Sequence, residues 1–195
     1  RQDFGPDGNL YIPVGVPCNI CVEPQIKDWR YAGIHKLVDR KLIPVAKGVR
    51  NSVGFDWHPI TKKMYFSDNG RDWLGDDSPS CELNIVNKEG GFYGYPYKHA
   101  KNVIDPKFGD HESSIGKVFI DPIAELGAHV APLGISFYDA DVFPEKYHNG
   151  IFIALHGSWN RTKKSGYKVI FVKLDKEGNY LYQEDFITGW LQDEN

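Results

Sequence analysis

An arginine and an asparagine stand side by side just before an apolar strand in the segment 48–59. Arg50 and Asn51 precede the apolar run that begins at Val53, so we expect both to lie at one end of a strand. A guanidinium presents a planar fork of N–H groups that suits a carboxylate, and an asparagine amide can donate a hydrogen bond to a carbonyl. The pair is therefore a candidate ligand site, and the alternative is that both residues only cap a loop.

A second candidate is the acidic run from Asp68 to Asp77, which holds four carboxylates and two glycines within ten residues. Calcium takes six to eight oxygen ligands, including backbone carbonyls exposed by tight turns. The spacing does not match the twelve-residue loop of helix-loop-helix calcium proteins. The run therefore predicts either an irregular calcium site or a solvated acidic turn.

The third candidate is the segment from His156 to Arg161, which carries an imidazole, the Trp159 indole and a guanidinium close together. Such a group could stack against and pair with an anionic aromatic ligand. The alternative is that Trp159 only closes the end of the core. His129 precedes another inner strand, so we expect it to reach the same place, although a lone histidine is also commonly structural.

Three cysteines limit the sulfur chemistry. Cys18 and Cys21 form a CxxC pair, and the residue after it is Val22, so this is not a haem-attachment site. Cys81 is the only other cysteine, which excludes a four-cysteine zinc site within this chain. We expect a local Cys18–Cys21 disulfide, which fits an oxidising compartment and hence a periplasmic or secreted protein. Cys81 is then free or paired outside the segment.

The composition excludes several function classes. The chain has 195 residues, with 23 Lys plus Arg against 26 Asp plus Glu, and so a net charge of −3. That balance is untypical of a nucleic-acid binder, which needs a basic face. The sequence contains no run of 18 apolar residues, so it predicts no transmembrane helix. Aromatic residues make up 14%, with 20 glycines and 12 prolines, which favours many short strands and turns.

Three segments resemble one another and explain how distant residues could meet. Each gives an apolar strand, a turn, a second apolar strand and then a glycine, namely Gly15, Gly70 or Gly157. A propeller blade takes about 40 to 50 residues. The first interval fits one blade, and the second needs an insertion, for which 98–128 is the candidate. We therefore predict an all-β propeller, and a β-sandwich is the competing fold. In a propeller, residues near the three glycines would converge on one mouth.

Several motifs occur together, in one order, along nearly the whole chain. In that order they are Phe4-Gly5-Pro6-Asp7-Gly8, Cys18-Asn19-Ile20-Cys21, the segment 50–59, the segment 68–77, Glu82-Leu83-Asn84, Gly94-Tyr95-Pro96-Tyr97, Ala131-Pro132-Leu133-Gly134 and His156-Gly157-Ser158-Trp159-Asn160-Arg161. Taken together, the chain resembles the L-sorbosone dehydrogenase branch of the soluble quinoprotein sugar dehydrogenases.

The resemblance implies a six-bladed propeller that binds pyrroloquinoline quinone (PQQ) and Ca²⁺ at the mouth of its axis. Residues 1–195 would supply three to four blades of it, truncated at both ends. The implied contacts to the quinone are Arg50, Asn51, His129, His156, Trp159 and Arg161. The carbonyls of Gly70 and Arg71 would bind the cofactor's Ca²⁺. Glu82 and Tyr93 fall where relatives bind a second, structural Ca²⁺.

The resemblance also implies what this segment lacks. The family's histidine base precedes the turn at Phe4, so we expect no catalytic residue within the segment. A final blade is expected after Leu191, and the chain alone is expected to be inactive. Its partners would be a sugar or sugar aldehyde, an electron acceptor such as a cytochrome or a quinone, and the remaining blades of the same polypeptide.

Two other functions stay open at this point. Calcium-centred propellers also include lactonases, whose metal is held by side chains, and Asp68, Asn69 and Asp72 could supply such ligands. Propellers also serve as non-catalytic extracellular binding or structural modules, because a fold does not fix a function.

Overall fold

Short strands dominate the protein. A computed structural model describes residues 1–191, and in this range the only α-helix is one turn long. The elements, in chain order, are β1 (Asp3–Phe4), β2 (Leu10–Val14), α1 (Glu23–Lys27), β3 (Gly33–Val38), β4 (Lys41–Lys47), β5 (Phe55–Trp57), β6 (Met64–Asp68), β7 (Ser80–Ile85), β8 (Gly91–Phe92), β9 (Lys98–His99), β10 (Val103–Ile104), a 3₁₀ turn at Glu112–Ser114, β11 (Ala124–Ala128), β12 (Pro132–Phe137), a 3₁₀ turn at Glu145–Tyr147, β13 (Ile151–Leu155), β14 (Lys168–Leu174) and β15 (Tyr180–Ile187).

Three four-stranded antiparallel units make up the architecture, while β8 extends the first of them in parallel and β9 and β10 form a separate two-stranded sheet. The first blade is β1-β2-β3-β4, the second is β5-β6-β7-β11 and the third is β12-β13-β14-β15. Sheets of this size that follow one another along the chain are the blades of a β-propeller. The predicted fold class is therefore confirmed, and the described residues supply three blades. Residues 192–195 of the predicted domain lie outside the described range.

The blades pack face to face through two apolar cores. Tyr11 and Ile34 of the first blade meet Phe55 and Phe66 of the second. Leu83 and other residues of the second blade meet the third blade in a separate core. All five residues of β6 are buried because neighbouring blades cover both faces of this strand. Burial on both faces explains why β6 shows little polar alternation.

Two prolines lie within strands of the first blade, and the structure shows how each is tolerated. A proline cannot donate a ladder hydrogen bond. Pro13 pairs with Ile34 on one side of β2, while on the other side β1 reaches only as far as Tyr11. Pro44 pairs with His35 at a register shift, as expected for a bulge.

The insertion predicted at 98–128 differs from the one observed. Residues 124–128 form β11, the fourth strand of the second blade, so the insertion occupies 86–123. It contains the β9–β10 hairpin, and β8 adds in parallel to the outer strand β4 of the first blade. The insertion therefore braces the first two blades against each other.

One end of the blades gathers the loops that matter for function. The backbone N–H of Val16 donates to the Arg50 carbonyl at 3.1 Å, which joins the end of β2 to the segment before β5. The N–H of His156 likewise donates to the Ala131 carbonyl at 3.0 Å. Loops from all three blades therefore meet at this end. Within residues 1–191, no helix has the length and apolar character needed to cross a bilayer.

Candidate functional site

A cavity of about 230 Å³ opens at the end where these loops meet. Its walls come from the loops of the second and third blades and from the connection between them. The lining residues are Arg50, Asn51, Asn69, Gly70, Asp72, Cys81, His129, Ala131 and Trp159. The structure thus brings together five of the predicted site residues, namely Arg50, Asn51, Gly70, His129 and Trp159.

A buried carboxylate fixes the backbone at the first two of these residues. The N–H groups of Arg50 and Asn51 donate to the two oxygens of Asp68 at 2.8 and 2.7 Å. Burial of this carboxyl group raises its pKa to about 6, although the two N–H donors oppose that shift. Asp68 therefore acts as a structural clamp that presents both side chains to the cavity.

The Arg50 guanidinium is held in place by two asparagines. Its Nε–H donates to the carbonyl of Asn19 at 2.9 Å and its Nη2 to the Asn19 Oδ1 at 3.0 Å. Its Nη1 donates to the Asn69 carbonyl at 3.2 Å. A guanidinium has five N–H groups, and these contacts use three of them. Two donors remain for a ligand.

The Asn51 side chain forms none of the hydrogen bonds found within residues 1–191, so its amide is available to a ligand. Gly15 makes room for it, because a Cβ at position 15 would lie 2.9 Å from the Asn51 Oδ1. The glycine that ends the first repeated unit is therefore required by contact with the cavity wall.

His129 is positioned by two acceptors from the acidic run. Its Nε2 lies 2.8 Å from the Gly75 carbonyl oxygen, and its Nδ1 lies 3.3 Å from Asp72 Oδ1. Asp72 also approaches Arg50, with 3.9 Å between Oδ2 and Nη2. One carboxylate thus lies between the imidazole and the guanidinium and sets their separation.

The predicted calcium ligands Gly70 and Arg71 are placed differently from each other. Gly70 lines the cavity, whereas the Arg71 side chain is buried and pairs with Asp105 at 2.6 Å. Neither carbonyl accepts any of the hydrogen bonds found within residues 1–191, so both carry free lone pairs. In the same range, no three His, Cys, Asp or Glu side chains converge on one point. The Gly70 carbonyl and the Asp72 carboxylate are oxygen ligands that this wall offers to a cation.

Glu82 and Tyr93 are both buried away from this cavity. The Glu82 carboxylate accepts hydrogen bonds from the Ala100 N–H at 2.7 Å and from the Asn84 amide at 2.9 Å. Burial, together with the nearby Asp68 charge, raises the pKa of Glu82 to about 8. The Tyr93 hydroxyl donates to the Ile85 carbonyl at 2.8 Å.

The segment 156–161 does not act as one unit. His156 is exposed and lines a separate hollow with Tyr167 and Trp190, not the cavity at Arg50. Arg161 points to the acidic run, with its Nη1 donating to the Asp76 carbonyl at 2.9 Å. Of the three side chains, Trp159 alone lines the cavity, and the chain turns at Gly157, which has a φ of +110°. The His156 imidazole therefore lies apart from the other two groups, whereas Trp159 and Arg161 line a common cleft beside the cavity.

Cys18 and Cys21 form a disulfide, and Cys81 is a buried free thiol in the cavity wall. The Tyr95 hydroxyl accepts a hydrogen bond from the Cys21 N–H at 3.1 Å. The short disulfide loop is thereby fixed against the insertion.

Sequence reasoning missed Asn19 as a site residue. Its side chain accepts hydrogen bonds from Arg50 and from the Asp72 N–H, the latter at 2.7 Å, and so it links two cavity residues. The only available signal was a polar residue enclosed by two closely spaced cysteines.

Comparison with known proteins agrees with this fold. Residues 101–188 match the family described as TrAA12-like. The chain is 41% identical over 187 residues to an uncharacterized protein of Borreliella burgdorferi, a match covering 95% of this chain and 48% of that protein.

Solved structures share the architecture at low sequence identity. The calcium structure of the Trichoderma reesei carbohydrate-active enzyme of family AA12 is 22% identical, with a TM-score of 0.72, and covers 96% of this chain and 56% of that one. The holo PQQ domain of Coprinopsis cinerea pyranose dehydrogenase is 19% identical, with a TM-score of 0.73, and the match covers 99% of this chain and 59% of that one. The apo soluble aldose sugar dehydrogenase of Escherichia coli is 19% identical, with a TM-score of 0.63, and covers 96% and 52%. The chain thus spans about half the length of the proteins it matches.

Proposed function

We propose that this chain is a segment of a PQQ- and calcium-dependent dehydrogenase that oxidises a sugar or sugar aldehyde, of the sorbosone or aldose type. The observation that carries the proposal is the single cavity that joins Arg50, Asn51, Gly70 and His129 from separate loops. The similarity to an AA12 enzyme and to sugar dehydrogenases supports the same reaction class.

The residues present suit both groups. PQQ carries carboxylates and quinone oxygens, which match the two free N–H donors of Arg50 and the free amide of Asn51. The Gly70 carbonyl, and that of Arg71 next to it, offer hard oxygen ligands of the kind Ca²⁺ takes. When bound, the quinone supplies the hydride acceptor and Ca²⁺ polarises it.

The chain's own residues bind and orient. Arg50 places a fixed positive charge where negative charge develops during the reaction, and Asn19 keeps its guanidinium from swinging away. Asp72 and Gly75 fix the His129 ring by both of its nitrogens, so this imidazole serves as a positioned contact and not as the base. The proton-abstracting histidine is assigned to the part of the polypeptide before Phe4.

The surroundings of the reaction follow from the same proposal. The Cys18–Cys21 disulfide supports a periplasmic or secreted location, since such bonds persist in oxidising compartments. The remaining blades would close the propeller, and a cytochrome or a quinone would take the electrons. Glu82 and Tyr93 are proposed to hold a second calcium ion, and His156 and Arg161 are kept as peripheral contacts to the cofactor.

The structural contacts of the acidic run count against the lactonase alternative. The Asp68 carboxylate is taken by two backbone N–H groups, and the Asn69 amide donates to the carbonyls of Asn51 and Pro132. Among the described residues that line the cavity, Asp72 supplies the one carboxylate, so a metal there would lack the several anionic side chains that the lactonase alternative needs. A purely structural module would not need the free donors of Arg50 at a cavity wall.

The test adds PQQ and Ca²⁺ to the full polypeptide and measures the melting temperature and dye reduction with aldoses and L-sorbosone. We expect a rise in melting temperature that chelation of Ca²⁺ reverses, together with sugar-dependent dye reduction. Absence of both effects would overturn the proposal. Stabilisation by Ca²⁺ alone, with lactone hydrolysis, would favour the lactonase.

A further inference from the structure

A second, larger cleft of about 500 Å³ adjoins the cavity at Arg50. Trp159 lines both, so the two spaces share a wall. The residues around the larger cleft are Trp73, Gly75, Asp76, Trp159, Asn160, Arg161 and Thr162. We call it the tryptophan cleft.

Both indoles of the tryptophan cleft are strongly exposed, Trp73 at 66% and Trp159 at 75%. Exposing a large apolar ring forgoes the free energy that its burial would yield, and paired exposed rings at a concave site are typical of ligand binding. Trp73 in addition has a φ of +66°, a backbone conformation that costs a non-glycine residue about 1–3 kcal/mol. The fold thus presents this ring at the cleft in spite of two unfavourable terms.

The loops that carry the two indoles are tied to each other. The backbone N–H of Trp73 donates to the Asn160 Oδ1 at 3.0 Å, and the backbone N–H of Thr162 donates to the Asp76 Oδ1 at 3.2 Å. Arg161 bridges the same loops, since its Nη2 lies 2.8 Å from the Asp77 Oδ1. A ligand would therefore meet a preorganised cleft and lose little free energy in ordering it.

The polar side of the tryptophan cleft carries a small net negative charge. The Arg161 charge is offset by Asp77, and the remaining groups are the amide of Asn160, the hydroxyl of Thr162 and the carboxylate of Asp76. These groups suit hydroxyls as hydrogen-bond partners and provide no net positive charge for an anionic ligand. Indole rings supply rigid, flat contact area for the apolar face of a sugar ring.

We propose that the tryptophan cleft binds the additional sugar units of a neutral oligosaccharide, with rings packed on Trp73 and Trp159 and hydroxyls bonded to the polar side. The assignment of these units as extensions of the oxidised sugar rests on the proposed function, because Trp159 separates the cleft from the cavity at Arg50. Binding by the cleft does not depend on the oxidation itself.

The test titrates cellotetraose, maltotetraose and glucose into the full polypeptide without quinone, followed by calorimetry and tryptophan fluorescence. We expect at least one tetraose to bind ten or more times as tightly as glucose. Trp73→Ala should raise its Kd at least tenfold, equivalent to about 1.4 kcal/mol, and Trp73→Phe should restore most of the affinity.

Trp190→Ala is the matched control, because this indole is also exposed but lines a separate hollow; it should leave tetraose binding unchanged. Equal losses in Trp73→Ala and Trp190→Ala, or no tetraose preferred over glucose, would overturn the inference. Because the titration contains no quinone, it reports binding independently of oxidation. Tetraose binding here, together with no sugar oxidation in the separate test with PQQ and Ca²⁺, would reject the proposed dehydrogenase and retain the saccharide cleft.

Discussion

Asn19 accepts two hydrogen bonds from the Arg50 guanidinium, one on its backbone carbonyl at 2.9 Å and one on its Oδ1 at 3.0 Å. The asparagine lies inside the Cys18–Cys21 loop of the first blade, while the arginine precedes the second blade. A small disulfide loop therefore orients the main positive charge of a cavity built by other blades.

Asn19→Ala should weaken PQQ binding by the full polypeptide about tenfold. The change removes the Oδ1 acceptor for both Arg50 and the Asp72 N–H, and hydrogen bonds to charged groups contribute about 1.5–3 kcal/mol. Titration calorimetry measures the effect. Asn87→Ala, at an exposed asparagine on the insertion, should bind PQQ like the parent protein, and equal affinity in both variants would contradict the positioning role.

Arg50→Lys should lose more than tenfold in PQQ affinity although it retains the positive charge. A lysine cannot reproduce the fork that contacts Asn19 and Asn69 while leaving two donors free. The matched change is Arg30→Lys, at an exposed arginine paired with Asp28. If Arg50→Lys binds as tightly as Arg30→Lys does, charge alone is sufficient and the geometric argument is wrong.

Gly54→Ala should destabilise the protein by about 2–3 kcal/mol. A Cβ at this position would lie 2.0 Å from the carbonyl oxygen of Leu133, where the second and third blades touch, and overpacking has costs of that order. Urea unfolding of the full polypeptide gives the difference. Gly134→Ala is the control, because no heavy atom lies within 4 Å of the added methyl group; a loss as large there would show that the backbone contact is not the cause.

His58→Asn should flatten the dependence of stability on pH below pH 6.5. Burial of the ring, and secondarily the charge of Lys62, lower the pKa of His58 below 6.5. The unfolded chain therefore takes up the proton first, so this stabilisation is complete above pH 6.5 and is lost as the pH falls through the lowered value.

Asparagine keeps an acceptor for the N–H groups of Ile60 and Thr61 and does not titrate. The slope of the unfolding free energy should fall by at most about 1.4 kcal/mol per pH unit. Some slope should persist, because burial also lowers the pKa values of His35 and His99. Parallel curves for parent and variant would contradict the assignment to His58.

The repeated glycines allowed the end of the propeller to be predicted from sequence, because each ends the second strand of a blade. Gly15 and Gly70 border the predicted cavity region in the structure. The same pattern failed for the outer strand β11, because an insertion that itself contains strands separates it from β7. Local periodicity cannot say which of several short strands completes a blade.

Predicting the contacts of side chains was less successful than predicting the fold. His156 stands near Trp159 in sequence but lines a separate hollow, and Arg161 contacts the acidic run and does not reach the cavity at Arg50. Asn19 was missed because its role depends on two hydrogen bonds across blades. Such contacts are tertiary and leave no spacing rule in the chain.

The cavity is formed by more than one blade. Its walls cross the boundary between the second and third blades, and its guanidinium is steadied by a loop of the first. A ligand in the cavity therefore links neighbouring blades, and the blades cannot separate until the ligand dissociates. By mass action, each tenfold increase in ligand concentration above its Kd adds about 1.4 kcal/mol to the free energy of separating the blades. Saturation with ligand should accordingly protect the inter-blade amides from hydrogen exchange more than those within any one sheet.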